Sequence, residues 1–123
     1  MKEFDIHERI YRFVVRVLKL LASLPKNQLN LIIIPQCGRA VTSVGANDQE
    51  ADACETSRDF IAKFSIVKKE VKETNYWLRL ISDINPSFTI RMRDLQKEGE
   101  EIFLIVSSII KKTKKTKRQK DVS

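Results

Sequence analysis

The sequence contains few of the residues that form turns, cross-links and catalytic sites. Its 123 residues include three glycines, three prolines, two cysteines and one histidine. So few glycines and prolines leave little material for the β-turns that join strands, and this scarcity favours helices. A chain of this length forms about one domain and buries a core without disulfide or metal cross-links.

The sequence also lacks an apolar run of the roughly 18 residues that a membrane span needs. Arg16 and Lys19 interrupt the first apolar segment, and Pro35 ends the second, residues 29–34. The N-terminal residues have mixed charge and no apolar segment of the kind found in secretion signals. We therefore expect a cytoplasmic protein with no membrane partner.

The two cysteines and the single histidine argue against metal, redox and cofactor chemistry. Cys37 and Cys54 lie 17 residues apart in one predicted helix, a separation of about 25 Å that no disulfide spans. Without a Cys-x-x-Cys spacing we interpret them as free buried thiols. His7 alone cannot supply the two Glu-x-x-His pairs of a di-iron bundle, and phosphate loops and Ser/His/Asp sets are absent. The expectation is a non-enzyme with no cofactor and no metal.

Apolar residues recur at alternating steps of three and four, which predicts four amphipathic helices. The predicted helices span about residues 4–24, 28–53, 57–84 and 89–113. Pro25 ends the first, Thr56 or Ser57 can cap the third, and Asn85 before Pro86 ends it. Short connections between them predict an all-α, antiparallel up-down-up-down four-helix bundle over residues 1–113. Residues 114–123 are predicted to form a disordered basic tail.

The second predicted helix is unusual because Pro35 lies inside it, which predicts a kink or a later helix start. Its second half contains small residues that let another backbone approach closely. Four polar side chains spaced four, four and three share one face: Arg39, Ser43, Asn47 and Glu50. This α2 polar line fits either a solvated face or a hydrogen-bonded seam against a neighbouring helix or subunit, and the small residues favour the seam.

A second line of side chains, on the third predicted helix, consists of Glu70, Glu73 and Trp77. Two carboxylates beside an indole allow a catalytic interpretation. Packing is the better one, because Lys69 can pair with Glu73 at i,i+4 and a tryptophan on a helix flank usually packs at an edge with its N–H bonded. We therefore assign these residues to packing or assembly.

Positive charge is concentrated at the C-terminus. The last thirteen residues hold seven basic side chains and one acidic one, Asp121, and so carry +6 of the net +7. The basic segment, residues 111–120, contains Lys111, Lys112, Lys114, Lys115, Lys117, Arg118 and Lys120. A second group, the α1 basic stripe, has spacings of three, four and three along the first helix: Arg9, Arg12, Arg16 and Lys19. Both groups fit phosphate binding, and both also fit a role in solubility.

Several dispersed motifs occur in a recognisable order along the chain. They are Leu24–Lys26, Gln36, Arg39, Thr42–Asn47, Glu50–Ala51, Ser57–Phe60, Lys69–Glu70, Glu73–Thr74, Tyr76–Leu78 and Ser107–Thr113. Together they resemble the four-helix-bundle proteins encoded by intervening sequences in bacterial 23S ribosomal RNA genes, over about residues 4–115. The sequence departs from that pattern at Pro35, Gly38 and Asp48.

The resemblance implies an up-down-up-down bundle that assembles as a ring, usually a homopentamer, with no enzymatic activity. The family is similar to the accessory protein of diversity-generating retroelements, which is pentameric and basic and binds nucleic acid with a reverse transcriptase. The leading hypothesis is a pentamer that binds RNA or DNA through the α1 basic stripe and the basic segment. The alternatives are a scaffold that binds a partner protein and a product of a mobile insertion with no host function.

Overall fold

The computed structural model describes the backbone of residues 5–122 and the side chains of residues 5–120. Four α-helices account for most of this part of the chain, which contains no strand: α1 Ile6–Ser23, α2 Gln28–Asp52, α3 Ser57–Ile84 and α4 Thr89–Val122. A single 3-10 turn, Pro86–Phe88, connects α3 to α4. The predicted all-α, four-helix architecture is confirmed.

Three of the helices begin with a side-chain cap. Asp5, Asn27 and Thr56 each accept a hydrogen bond from the backbone N–H three residues further on, at 2.9, 2.9 and 3.1 Å. Each cap satisfies one of the amides that the first helical turn leaves without a partner. Thr56, rather than Ser57, therefore caps α3.

Each helix packs against its neighbours in the sequence, and α4 closes the bundle by packing against α1. The core side chains come from all four helices, and the largest fully buried ones include Phe13, Phe64, Leu78, Ile81, Met92 and Ile102. These positions lie on the apolar faces that the three-and-four spacing defines. None of the helices between residues 5 and 122 is long and apolar enough to cross a membrane.

The end of α4 differs from the sequence-based expectation. Helix α4 continues to Val122, so residues 114–122 are helical where a disordered tail was predicted. Lysine, arginine and glutamine are good helix formers, and neither glycine nor proline follows Gly99. The predicted beginning of the first helix at residue 4 and the last tail residue, Ser123, lie outside the described residues.

Pro35 lies inside the continuous helix α2, which begins at Gln28. The alternative of a helix that starts after Pro35 was therefore wrong. Pro35 removes the donor that would reach the carbonyl of Leu31. Both residues are exposed, so water can hydrate that carbonyl.

Candidate nucleic-acid interface

Two of the four side chains of the α1 basic stripe, Arg9 and Arg12, form ion pairs with carboxylates of the same subunit. Arg9 donates two hydrogen bonds to Glu98 on α4, from Nη2 at 2.6 Å and from Nε at 3.1 Å. The hydrogen bond to Glu98 is the main cause that raises the pKa of Arg9. Arg12 Nε donates to Glu8 Oε2 at 3.1 Å, one turn earlier on α1. Both guanidiniums therefore already have a carboxylate partner within the subunit, in a part-buried pair for Arg9 and an exposed pair for Arg12.

The other half of the stripe remains open to solvent. Arg16 and Lys19 are exposed, and neither forms an ion pair within the part of the chain whose side chains are described. These two side chains are the members of the stripe best placed to meet an external phosphate.

The basic segment forms the end of a helix. Six of its basic side chains are exposed, whereas Lys117 is half-buried. The exposed ones are Lys111, Lys112, Lys114, Lys115, Arg118 and Lys120. Positions 111, 114, 115 and 118 share one helix face, because residues three and four apart lie above one another. Ile110 is the last buried residue of α4 among those described. Beyond Thr113, residues 114–122 extend the helix by about 13 Å.

The two basic groups lie apart in the structure. Arg9 contacts Glu98 and Ser23 contacts Arg91, so α1 and α4 run antiparallel. The basic segment starts thirteen residues beyond Glu98, a distance of about 20 Å along the helix, in the direction away from Arg16 and Lys19. A continuous patch made of both groups is therefore not formed within one subunit.

The α2 polar line makes mostly local contacts. Asn47 Nδ2 donates to the backbone oxygen and to Oγ of Ser43, at 2.9 and 3.1 Å, and Arg39 reaches Gln36 one turn earlier. Glu50 is the exception, because it forms an ion pair of 2.9 Å with Lys63 on α3. That contact raises the pKa of Lys63. Within the subunit the line reaches another helix only at Glu50, and its role in assembly stays a prediction.

The line on α3 differs from expectation in two contacts. Glu73 is exposed and forms no ion pair with Lys69, while the backbone oxygen of Glu70 accepts a hydrogen bond from Thr74. Trp77 is half-buried and meets the ring of Tyr76 edge-on, with 5.0 Å between centroids. Its Nε1 is buried without a hydrogen-bond partner among the described residues, so the expected bonded N–H was wrong.

Sequence reasoning missed a cluster around His7. Its two ring nitrogens lie 2.8 Å from Asp48 Oδ1 and 3.2 Å from Asp52 Oδ1. Asp48 is only 1% exposed, and its second oxygen has no partner among the described residues. Burial raises the pKa of Asp48, and the hydrogen bond from His7 partly opposes that shift. Asp48 and Asp52 are spaced i,i+4, but nothing local indicates that His7, 41 residues before Asp48, completes the cluster.

This cluster ties the beginning of α1 to the end of α2. A carboxylate placed in an apolar wall needs a partner, and the imidazole provides one. Within the part of the chain that the structure describes, no group of three or more His, Cys, Asp or Glu side chains is arranged to hold a metal ion. We assign the cluster a structural role.

Replacing Asp48 with asparagine is expected to change the pH dependence of stability. Because the pKa of Asp48 is raised above its ordinary value of 3.8, the folded state keeps this proton where the unfolded state has lost it. The stability that this group contributes is therefore complete below that value and falls as the pH rises through the raised pKa. Above about pH 4, Asp48→Asn should gain stability relative to the wild type, by no more than about 1.4 kcal/mol per pH unit.

Urea unfolding at a series of pH values measures this difference. The titratable groups around Asp48 are His7, Asp52 and Asp5. Asp52→Asn is the matched control, since Asp52 also contacts His7 but its side chain is 56% exposed. A difference between Asp48→Asn and the wild type that does not change with pH would contradict the assignment.

Comparison with known proteins agrees with the four-helix fold. Among curated proteins none matches. A crystal structure of a protein of unknown function from the S23 ribosomal protein family of Bacteroides thetaiotaomicron is 32% identical, with a TM-score of 0.79. The match covers 87% of this chain and 99% of that one. The family model of the 23S rRNA-intervening sequence protein matches residues 2–120. Since that match spans nearly the whole bundle and the expected motifs, the chain belongs to the 23S rRNA-intervening sequence protein family.

Proposed function

We propose that the protein is a non-enzymatic, cytoplasmic oligomer that binds RNA or DNA through the phosphate backbone without sequence preference. The observation that carries this proposal is the basic segment, which holds seven basic side chains in ten positions of a continuous helix. No acidic residue lies between Ile102 and Lys120. A helix with this charge attracts polyanions and releases their counterions on binding.

The contacts on α1 reduce the set of residues that we propose to bind phosphate. Arg9 and Arg12 already face carboxylates, and withdrawing them would leave Glu98 and Glu8 without partners. Arg16 and Lys19 remain as a secondary contact at the other end of the bundle. The basic segment is the primary site.

Assembly would increase the affinity for nucleic acid, because several basic segments in one oligomer could bind the same strand and raise the avidity without a new contact. Large apolar side chains are exposed on α1 and α2, among them Tyr11, Leu29 and Ile32. An apolar groove of about 280 Å³ lies between Val14 on α1 and Gly45 and Ala46 on α2. Such surfaces are typical of protein interfaces, and a homopentamer is the assembly we favour. Light scattering tests it, because five 14.3 kDa subunits are readily distinguished from one.

The same apolar surface favours a second candidate function, a scaffold that binds a partner protein. Pull-down from lysate with and without nuclease distinguishes the two functions. A scaffold keeps its partner after the nucleic acid is digested, whereas a nucleic-acid-binding protein loses it.

Neutralising the exposed face of the basic segment should reduce the salt dependence of binding. We expect the triple variant Lys114→Gln, Lys115→Gln and Arg118→Gln to flatten the slope of log K against log salt by about two for each engaged helix on single strands. Glutamine preserves helix propensity, so the fold is retained. Titration of a labelled oligonucleotide at several salt concentrations measures the slope.

A control variant removes the same charge elsewhere. Lys69→Gln, Arg93→Gln and Lys97→Gln replace three exposed basic side chains outside the basic segment. The proposal requires a larger change in slope from the first triple than from this one. Equal changes would mean that net charge, not the basic segment, governs binding, and no binding to any polyanion at low salt would remove the proposed function.

A further inference from the structure

We infer that a groove between α3 and α4 is a stacking site for unpaired bases, so that the protein prefers single-stranded nucleic acid. This inference rests on the proposed function and adds a second contact to it. The α3–α4 groove has a volume of about 580 Å³, within the usual range for ligand clefts. The walls that matter here are formed by Lys72, Tyr76, Arg79, Gln96, Phe103 and Leu104.

Aromatic rings in the α3–α4 groove are accessible and held in place. Tyr76 is 57% exposed, and the edge-on contact with Trp77 supports its ring from one side. Phe103 is half-buried on the opposite wall. An exposed ring such as that of Tyr76 supplies a flat face on which a base can stack, and every base has such a face.

Cations lie beside the Phe103 ring and along the groove. The ammonium groups of Lys68 and Lys72 lie 5.7 and 5.4 Å from the centroid of the Phe103 ring. Arg79 adds a third positive charge, and none of the three forms an ion pair within residues 5–120. Glu100 is the single carboxylate among the residues that line the groove. The local excess of positive charge suits the phosphates on either side of a stacked base.

The lining fits a nucleic acid better than an acidic amphipathic helix. A groove for such a helix needs a row of aliphatic positions that receive anchors at i, i+3, i+4 and i+7. Leu104, 66% exposed, is the one exposed aliphatic side chain among the lining residues, since Leu78 is fully buried. Gln96 instead provides a half-buried amide at the groove. Asn75 also lines it, but its Nδ2 donates to the Gly99 oxygen at 3.0 Å and its Oδ1 is buried.

The inference distinguishes base contacts from phosphate contacts. A duplex keeps its bases stacked on each other, so only an unpaired strand offers a free base face to Tyr76. The probes are an oligodeoxythymidylate of about 20 nucleotides and an abasic strand of equal length, which has the phosphates without the bases. Fluorescence anisotropy at one fixed salt concentration measures both affinities.

Tyr76→Ala should weaken binding of the thymidylate strand by about 5- to 150-fold and leave binding of the abasic strand unchanged. Tyr76→Phe keeps the ring and should bind both strands like the wild type. Ile90→Ala, which removes a side chain that is 75% exposed and lies outside the groove, should also change neither. The triple variant of the basic segment should weaken both.

The outcomes separate this inference from the proposed function. If Tyr76→Ala weakens both strands equally, or neither, the stacking site is overturned while backbone binding stands. If Tyr76→Ala lowers the solution mass, the groove is an interface between copies of the chain and the inference is again overturned. If the wild type binds neither strand at low salt, the proposed function itself fails.

Discussion

Replacing Asn30 with alanine is expected to lower the free energy of unfolding by about 3 kcal/mol. Asn30 and Asn85 are both buried, and each donates its amide N–H to the side-chain oxygen of the other at 2.9 Å. Asn30 also donates to the backbone oxygen of Pro25. Alanine would leave the buried side chain of Asn85 without its partner and would remove the hydrogen bond to the Pro25 oxygen.

The position of this amide pair explains its large expected contribution to the free energy of unfolding. Asn30 lies in the first turn of α2, and Asn85 ends α3 while its second N–H is donated to the Ile81 oxygen. The pair therefore joins the start of one helix to the end of the next, across a sequence separation of 55 residues. Both connections at that end of the bundle depend on it.

A double-mutant cycle measured by urea unfolding tests the pair. Asn30→Ala combined with Asn85→Ala should cost less than the sum of the two single variants, by about 1–2 kcal/mol, because the second substitution removes the group that the first leaves without a partner. Asn47→Ala is the matched control, since that amide bonds only within its own helix. Costs that simply add would show that the two amides act independently.

The sequence was sufficient for the features that depend on local spacing. The three-and-four steps predicted all four helices, and the residues around Thr56 predicted a cap, because both signals lie within a few turns of one helix. It was insufficient where a partner comes from far along the chain. The pairs Asn30 with Asn85, His7 with Asp48, and Arg9 with Glu98 join residues that are 55, 41 and 89 positions apart.

Partners that lie far apart in the sequence also explain why the candidate site differs from the predicted one. Helical spacing places the α1 basic stripe on one face and Glu8 one turn before Arg12, but it gave no information on Glu98, 89 positions after Arg9. Arg9 is paired with Glu98 of α4, and Arg12 is paired with Glu8. The stripe therefore has fewer unpaired charges for a phosphate than its sequence suggests. The basic segment contains no acidic residue, and the first that follows it in the sequence is Asp121.

Substituting Gly99 with alanine is expected to destabilise the bundle by about 1–3 kcal/mol, although alanine is the better helix former by about 1 kcal/mol. A Cβ at this position would overlap Asn75 Oδ1 and lie 3.1 Å from Phe13 Cζ. Asn75 is held close by its hydrogen bond to the Gly99 oxygen, and Phe13 is fully buried. Moving Asn75 away would break its hydrogen bond to Gly99, and moving Phe13 away would disrupt the packing of the core.

Two further variants make this prediction specific to the contact between α3 and α4. In an Asn75→Ala background the Gly99→Ala substitution should cost much less, because the main obstacle has gone. Gly38→Ala should instead raise stability by about 0.5–1 kcal/mol, since its Cβ would meet only Leu21 Cδ1 at an ordinary 3.7 Å. Urea unfolding of the three variants measures these signs, and a stabilising Gly99→Ala would mean that α3 and α4 do not approach as closely as the structure places them.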